Sequence, residues 1–316
     1  RTLLMALLLA SFLASDLGDP DFRAITTSKQ VMALGLYAES ILSDKAPWEI
    51  YAKSIKQRNR KQIDAKRTKD LLVNAWNTER LLHITKEQFS GNNDGSVAQW
   101  AFPQAYYAAF NSTLAFFEVA GQTETSHSGV RKKISSLASL SKLGPGFHVI
   151  TDGGKTKVSV EGLESSCTEF NSSSLDITDS ENVSRHVISN FKNTRELFLK
   201  EYNQKNPIKN TKKEPKKRLT SGDWEKVSNS IGKTSWLCLL YRKRIKSNYR
   251  DIDTFLSEDL DLSGILSGLC SFINAYCLMC ELHVAKQLGV EVLSEWHGKS
   301  NTPQTERLER IKIITT

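Results

Sequence analysis

Cysteine is sparse and irregularly spaced in this chain, with only Cys167, Cys238, Cys270, Cys277 and Cys280 among 316 residues. An odd, uneven set argues against a disulfide scaffold and suits a reducing compartment. Cys277 and Cys280 form a CxxC, but no second pair accompanies it and no histidine stands at zinc-finger spacing. Inside an apolar helical run the two read as packed helix face. No other metal motif is found, and no metal or cofactor is expected. Long apolar runs are also lacking. The best candidate, Arg-Thr-Leu-Leu-Met-Ala-Leu-Leu-Leu-Ala-Ser-Phe-Leu-Ala at 1–14, is too short to span a bilayer. One arginine before an apolar stretch resembles a signal peptide, but a small-x-small cleavage site is missing. The segment is expected to form a buried N-terminal helix in a chain whose first methionine is Met5. The expectation is therefore a cytoplasmic protein without a membrane partner. The sequons at Asn111, Asn171 and Asn182 carry no weight, because such triplets arise by chance.

What is present fits a globular chain. The apolar share of 39% suffices for a core, and 25% charged residues is ordinary. The net charge of +8 is unevenly spread: between Lys205 and Arg218, seven basic residues face the single Glu214. Basicity therefore belongs to one segment and not to the fold. Such a run attracts phosphates by counterion release, and it is equally the composition of a solvated linker.

Helical periodicity dominates. Helices are expected over about 2–15 and 27–43, separated by Gly18-Asp19-Pro20, and then from Pro47 to about His83. After a loop at Ser90–Gly95, Tyr107, Phe110, Leu114 and Phe117 mark the apolar stripe of a helix over about 97–120, ended by Gly121. Ser126 or Ser128 is placed to cap the next helix, which runs through Val130, Ile134 and Leu137. The pattern then changes. Phe147–Thr151 and Lys157–Val160 flank Asp152-Gly153-Gly154-Lys155 and predict a β-hairpin. Gly153-Gly154-Lys155-Thr156 lacks the upstream glycine of a phosphate loop, so it is assigned to the hairpin turn. A Ser-rich acidic loop over Glu164–Glu181, a helix over about 184–202 and the basic segment follow. Helices resume from Thr220, with Asp223 three residues on as a capping box, to Tyr249, and again from about 258 to 288. Beyond Trp296 the chain is polar and is expected to be loosely attached.

Two segments carry a resemblance. Gln104-Ala105-Tyr106-Tyr107-Ala108-Ala109-Phe110-Asn111, then Gly121, then Ser126-His127-Ser128-Gly129-Val130, is similar to the HEPN pattern, a Tyr-Tyr-Ala-x-Phe helix followed by Gly and Thr/Ser-His-Ser/Gly-Gly-Val. Tyr241–Asp251 resembles that family's Arg-x-x-Ala-Asp-Tyr helix. The resemblance covers about 50–142 and 220–290. It implies an all-α antiparallel bundle over 47–143 and 220–292, with an N-terminal extension at 1–46, an insertion at 144–219 and a tail at 293–316. It also implies a homodimer, an RNA or nucleotide ligand, and a protein partner of the nucleotidyltransferase-like kind in a toxin–antitoxin or defence setting.

The active branch of the family is a metal-independent ribonuclease that uses an arginine and a histidine four to six residues later. This chain lacks that pair: His83, His127, His148, His186, His283 and His297 stand at no such spacing, and Arg244 is followed by Tyr249. A phenol with a pKa near 10 is a poor base at neutral pH. The expectation is therefore a binding module without catalysis, with Arg242, Arg244, Lys246 and Tyr249 lining the site. Lys212, Lys213, Lys216, Lys217 and Arg218 would add phosphate attraction. The alternatives are a ribonuclease using Arg244 with Tyr249 or His127, and a purely structural interaction bundle. Bland roles compete throughout. One of Tyr106 and Tyr107 is expected in the core, His127 fits a helix-start cap, and the cations at 242–246 suit a solvated face paired with Asp251 or Asp253 as well as a phosphate.

Overall fold

The computed structural model describes residues 19–89, 95–163, 177, 179–249, 252–255, 257–298 and 303–315. The expected helix at 2–15, the loop at 90–94, most of the Ser-rich stretch with Cys167 and Asn171, and the side chain of Tyr249 lie outside the described residues. Among those described, twelve α-helices and one two-stranded sheet make a mainly-α protein. In chain order they are α1 (Pro20–Ser43), α2 (Ala46–Ser54), α3 (Ala65–Phe89), α4 (Gly95–Ala120), α5 (His127–Ser139), β1 (Ile150–Asp152), β2 (Ser159–Glu161), α6 (Ser180–Lys205), α7 (Ser221–Ile231), α8 (Trp236–Tyr249), α9 (Ile252–Phe255), α10 (Leu262–Leu288), α11 (Val290–His297) and α12 (Pro303–Thr315).

The spine is α10. Asp261 caps it by accepting the Gly264 N–H at 2.8 Å, and Gly289, at φ 100°, ends it. By length and composition α10 is apolar enough to cross a bilayer, but 83% of its most apolar window is buried inside the fold. Helix α1 runs parallel to it. Ser28 meets Asp261, Gly35 meets Gly268 and Glu39 meets Ser271, so both sequences advance in the same direction. At the crossing no side chain fits: a Cβ on Gly35 would lie 2.5 Å from the Gly268 Cα. Helices α3 and α4 are antiparallel, since Arg67 reaches Glu118 while Thr85 reaches Gln104. On the far side of α10 from α1, Thr113 and Ser112 of α4 bond Tyr276 and Cys277.

Three expected boundaries move, each for a local reason. Proline lacks an N–H that the first helical turn does not need, so Pro20 opens α1 instead of breaking the chain, behind an Asp19 cap. The expected helix from Pro47 to His83 is interrupted, because Asn59 and Asp64 turn their side chains onto the Lys61 and Arg67 N–H groups. The expected helix from Thr220 to Tyr249 splits at Gly232, at φ 71°. Thr234 there pairs with Thr151 of the hairpin. The Thr220–Asp223 capping box forms with both of its bonds.

The hairpin forms in the expected place, Thr151 facing Val160. Arg195 of α6 ties it down, donating to the Gly153 and Gly232 carbonyls and to Ser228 Oγ at 2.7 Å, with Asp152 at 3.4 Å. The polar tail is a correction. Charged residues on both sides hide its apolar stripe, but Leu308, Ile311 and Ile314 of α12 are in the core.

Helix α12 also delivers Arg307, which is buried between two buried carboxylates. Its Nη1 and Nη2 donate to Glu79, and its Nε and Nη2 to Glu281, all at 2.6–2.8 Å. Trp76 Nε1 donates to Glu281 at 2.7 Å and Gln304 Nε2 to Glu79 at 2.7 Å. Burial pushes the Glu79 pKa up, but the Arg307 charge and hydrogen bonds outweigh it and hold the carboxyl below its ordinary value. Elsewhere in the core, burial depresses His283 to about 3, and Tyr51 Oη lies 2.5 Å from its Nε2.

Arg307→Met is expected to destabilise the fold by about 3–5 kcal/mol at pH 8, because it strands buried carboxylates. With Arg307 present, the Glu79 contribution exists above the unfolded carboxylate pKa near 4.3 and fades as pH falls through the lower folded value. Without it, burial raises that carboxyl, so the deficit shrinks toward pH 5. Thermal melts of both proteins at the two pH values check this, and an equal deficit would show that stranded carboxylates are not the cause. Gly35→Ala should cost about 1–3 kcal/mol by overpacking the α1–α10 crossing, measured as a lower urea midpoint with an unchanged m-value.

Candidate functional site

Four helices bring cations and aromatic rings to one place. Helix α4, interrupted in its bonding by Pro103 one turn earlier, presents Tyr106, Tyr107 and Phe110. Tyr106 is fully buried and Tyr107 half-buried, so one of the pair is core as expected. Helix α5 starts on Ser126, whose Oγ accepts the Gly129 N–H at 3.0 Å. That cap sets His127 at the first turn and Arg131 one turn on, the same face at i and i+4. Helix α8 contributes Tyr241 and Arg244, and α6 contributes Phe198.

The arginines stack on the rings. The Arg131 Cζ lies 3.9 Å from the Tyr241 centroid and 5.2 Å from that of Phe198. The Arg244 Cζ lies 4.8 Å from Tyr107, 5.3 Å from Tyr106 and 5.9 Å from Tyr241. Both cations therefore sit on the Tyr241 ring. Arg131 Nε donates to the His127 carbonyl at 3.2 Å, which fixes the guanidinium over that ring. Among the described residues neither arginine has a carboxylate within ion-pair distance. Their faces are covered by π-density. Arg244 Nε is buried without a partner among the described residues and Arg131 Nε is taken by the His127 carbonyl, so the terminal Nη groups are the donors left for a ligand.

His127 completes the cluster. Its Nδ1 is 2.7 Å from Tyr106 Oη, and its ring is 4.4 Å from Phe110. Burial, then the charges of Arg244 and Arg131, lower the imidazole pKa, so the ring is neutral at pH 7. Burial pushes the Tyr106 phenol well above its usual value, so it keeps its proton. Among the described residues Nδ1 is the hydrogen-bond partner of that hydroxyl, and a protonated phenol donating to it makes Nε2–H the expected tautomer of His127.

The structure brings together Arg244 and His127 from the candidates in the sequence, and it separates the rest. Arg242 turns away to α6, with Nη1 on Thr194 Oγ1 at 3.2 Å. Lys246 is half-buried further along α8, where Tyr249 ends the helix. In the basic segment, Lys209 bridges Pro215 across a compact turn that exposes Lys212, Lys213, Lys217 and Arg218. Lys216 is taken up elsewhere. Its Nζ bonds both oxygens of Asp223 at 2.8–2.9 Å, and with Thr220 this holds that carboxyl down to about 2. Sequence reasoning missed Arg131, Tyr241 and Phe198. The i,i+4 step from His127 to Arg131 was the one local signal available.

A cleft of about 970 Å³ lies elsewhere, between α1, α3, α10 and α12. Several of its polar groups are engaged: Asn274 accepts from Arg307, Ser271 donates to Glu39, and Arg310 donates to the Leu42 carbonyl, while His83 Nε2 is buried without a partner among the described residues. The His127 cluster, whose two arginines have no carboxylate partner among the described residues, is the better candidate site.

His127 is expected to titrate below the 6.5 of a free imidazole and to carry its proton on Nε2. Arg244→Met should move that titration upward by removing a neighbouring positive charge. Nitrogen-15 imidazole spectra across pH 4–8 read both properties, and an unchanged titration in the variant would place Arg244 electrically apart from the ring.

No family model, curated protein or solved structure matches this chain, so what it does is argued from this cluster.

Proposed function

We propose that this chain is a non-catalytic, HEPN-like module that binds RNA or a nucleotide through the His127–Arg131–Arg244 cluster. The observation that carries the reading is the pair of guanidiniums held over aromatic rings, Arg131 on Tyr241 and Arg244 nearest Tyr107, without a counter-carboxylate among the described residues. Such cations suit phosphate, and the half-buried Tyr107 and Tyr241 suit a base or ribose beside it. The exposed Lys212, Lys213, Lys217 and Arg218 turn adds sequence-independent attraction. The HEPN resemblance supplies the setting: a homodimer acting with a nucleotidyltransferase-like partner in a toxin–antitoxin or defence system.

A ribonuclease is the second reading, favoured by the closeness of Arg244 and His127 to the same tyrosines. The missing arginine–histidine spacing speaks against it.

Fluorescence anisotropy of a labelled single-stranded RNA at 50 and 200 mM salt, with a parallel cleavage gel, decides between them. The expected result is salt-sensitive binding, no cleavage, and a loss of about tenfold in Arg244→Ala. Cleavage that vanishes in Arg244→Ala would replace this reading with the ribonuclease. Absence of binding at both salts would leave the interaction-bundle alternative.

A further inference from the structure

Within the RNA- or nucleotide-binding reading, on which it rests, we infer that the cluster selects a terminal phosphate monoester over an internal phosphodiester. Three groups meet around Tyr106 and Tyr241: the Arg131 and Arg244 guanidiniums, each with its Nη groups as donors, and the His127 imidazole, whose expected tautomer carries Nε2–H. The two guanidinium carbons lie 3.9 and 5.9 Å from the Tyr241 centroid, so an anion bound at that ring feels both charges. Their two positive charges have no carboxylate within ion-pair distance among the described residues. A phosphate monoester carries about −1.5 to −2 at pH 7, which matches that pair. An internal diester carries a single charge and would leave one cation uncompensated.

The surroundings sharpen the difference. Tyr106 and Phe110 form a dry floor, and Tyr107, His127 and Tyr241 are only half-exposed, so charge imbalance is screened less than at an open surface. The neutral His127 ring brings its one N–H without adding a third charge. Tyr107, beside Arg244, is placed to stack the terminal base or ribose once the phosphate is seated. The exposed lysines of the 209–217 turn are point charges that do not tell a monoester from a diester.

The test uses one RNA heptamer in three forms, with a 5′-phosphate, a 3′-phosphate, or hydroxyls at both ends, its label on the opposite end. Anisotropy is read at pH 7.5 and pH 5.5 against the full chain, Arg131→Met, Arg244→Met and Arg131→Lys. Binding of one phosphorylated form at least tenfold tighter than the hydroxyl form supports the inference, and which form binds identifies the end that is read. The preference should fall at pH 5.5, where the monoester becomes a monoanion. It should vanish in both Met variants and fall partly in Arg131→Lys, with thermal melts confirming that each variant is folded. Inorganic phosphate and a nucleoside monophosphate should compete. Equal affinity of all three heptamers, weakened alike by the Met variants, overturns the end-selection and leaves RNA binding standing. Competition-grade binding of the monophosphate with no heptamer bound supports the monoester site and overturns the RNA reading. No binding of any probe overturns both.

Discussion

Everything in the bundle is referred to one buried charge. Arg307 lies between Glu79 of α3 and Glu281 of α10, and it is the only cation placed to make those carboxylates tolerable inside the core among the described residues. Trp76 and Gln304 take up remaining acceptor sites, so the network is nearly complete in its hydrogen bonding. Such a centre contributes less to net stability than its geometry suggests, because removing the ions from water costs several kcal/mol each. Its larger effect is register. A slip of α12 by one residue would swing Arg307 by about 100° around its helix and leave two bare carboxylates behind.

From that centre the structure builds outward in apolar layers. α10 is buried on nearly every side, α1 meets it at a glycine crossing too tight for side chains, and α4 lies along it through Thr113 and Ser112. The aromatic cluster at His127 sits on the side of α4 that faces α5 and α8. Its rings are therefore held by the bundle while its cations reach the edge. A second buried arginine, Arg195, plays a comparable part for the hairpin, joining it to the Gly232 break between α7 and α8. Rigid supports on both sides suit a site that orients donors in advance of a ligand.

Features written in neighbouring residues were legible. The Ser126 cap and the Thr220–Asp223 box follow from local chemistry and appear where expected, and the hairpin forms with its turn shifted to 153–158. The stripe of α4 is only half right, because Phe110 and Phe117 are core while Tyr107 and Leu114 lie on the least buried line of the helix. Pro20 misled, because the same residue breaks a helix in its interior and begins one at its first turn. The C-terminal helix was hidden because Leu308, Ile311 and Ile314 are scattered among Glu and Arg. The reason that helix docks, an ion contact between residues 228 apart, leaves no local trace. At the candidate site, Arg244 and His127 could be nominated separately from their motifs. Their meeting depends on how α5 and α8 pack. Arg242 shows the converse: two residues from Arg244 on a helix, it necessarily faces another way.

The long separation between Glu79 and Arg307 also orders events during biosynthesis. Translation proceeds at about 5–20 residues per second, so Glu79 leaves the peptidyl-transfer centre on the order of ten seconds or more before its partner exists. Until then α3 and α10 cannot close over an ionised carboxylate pair without the full desolvation penalty. The nascent chain must keep that face wet, or neutralise it by taking up protons. Core closure is thereby tied to the arrival of α12, and any truncated translation product ending before Arg307 is left with an open, hydrated centre and exposed apolar helix faces, the kind of surface that chaperones and proteases recognise.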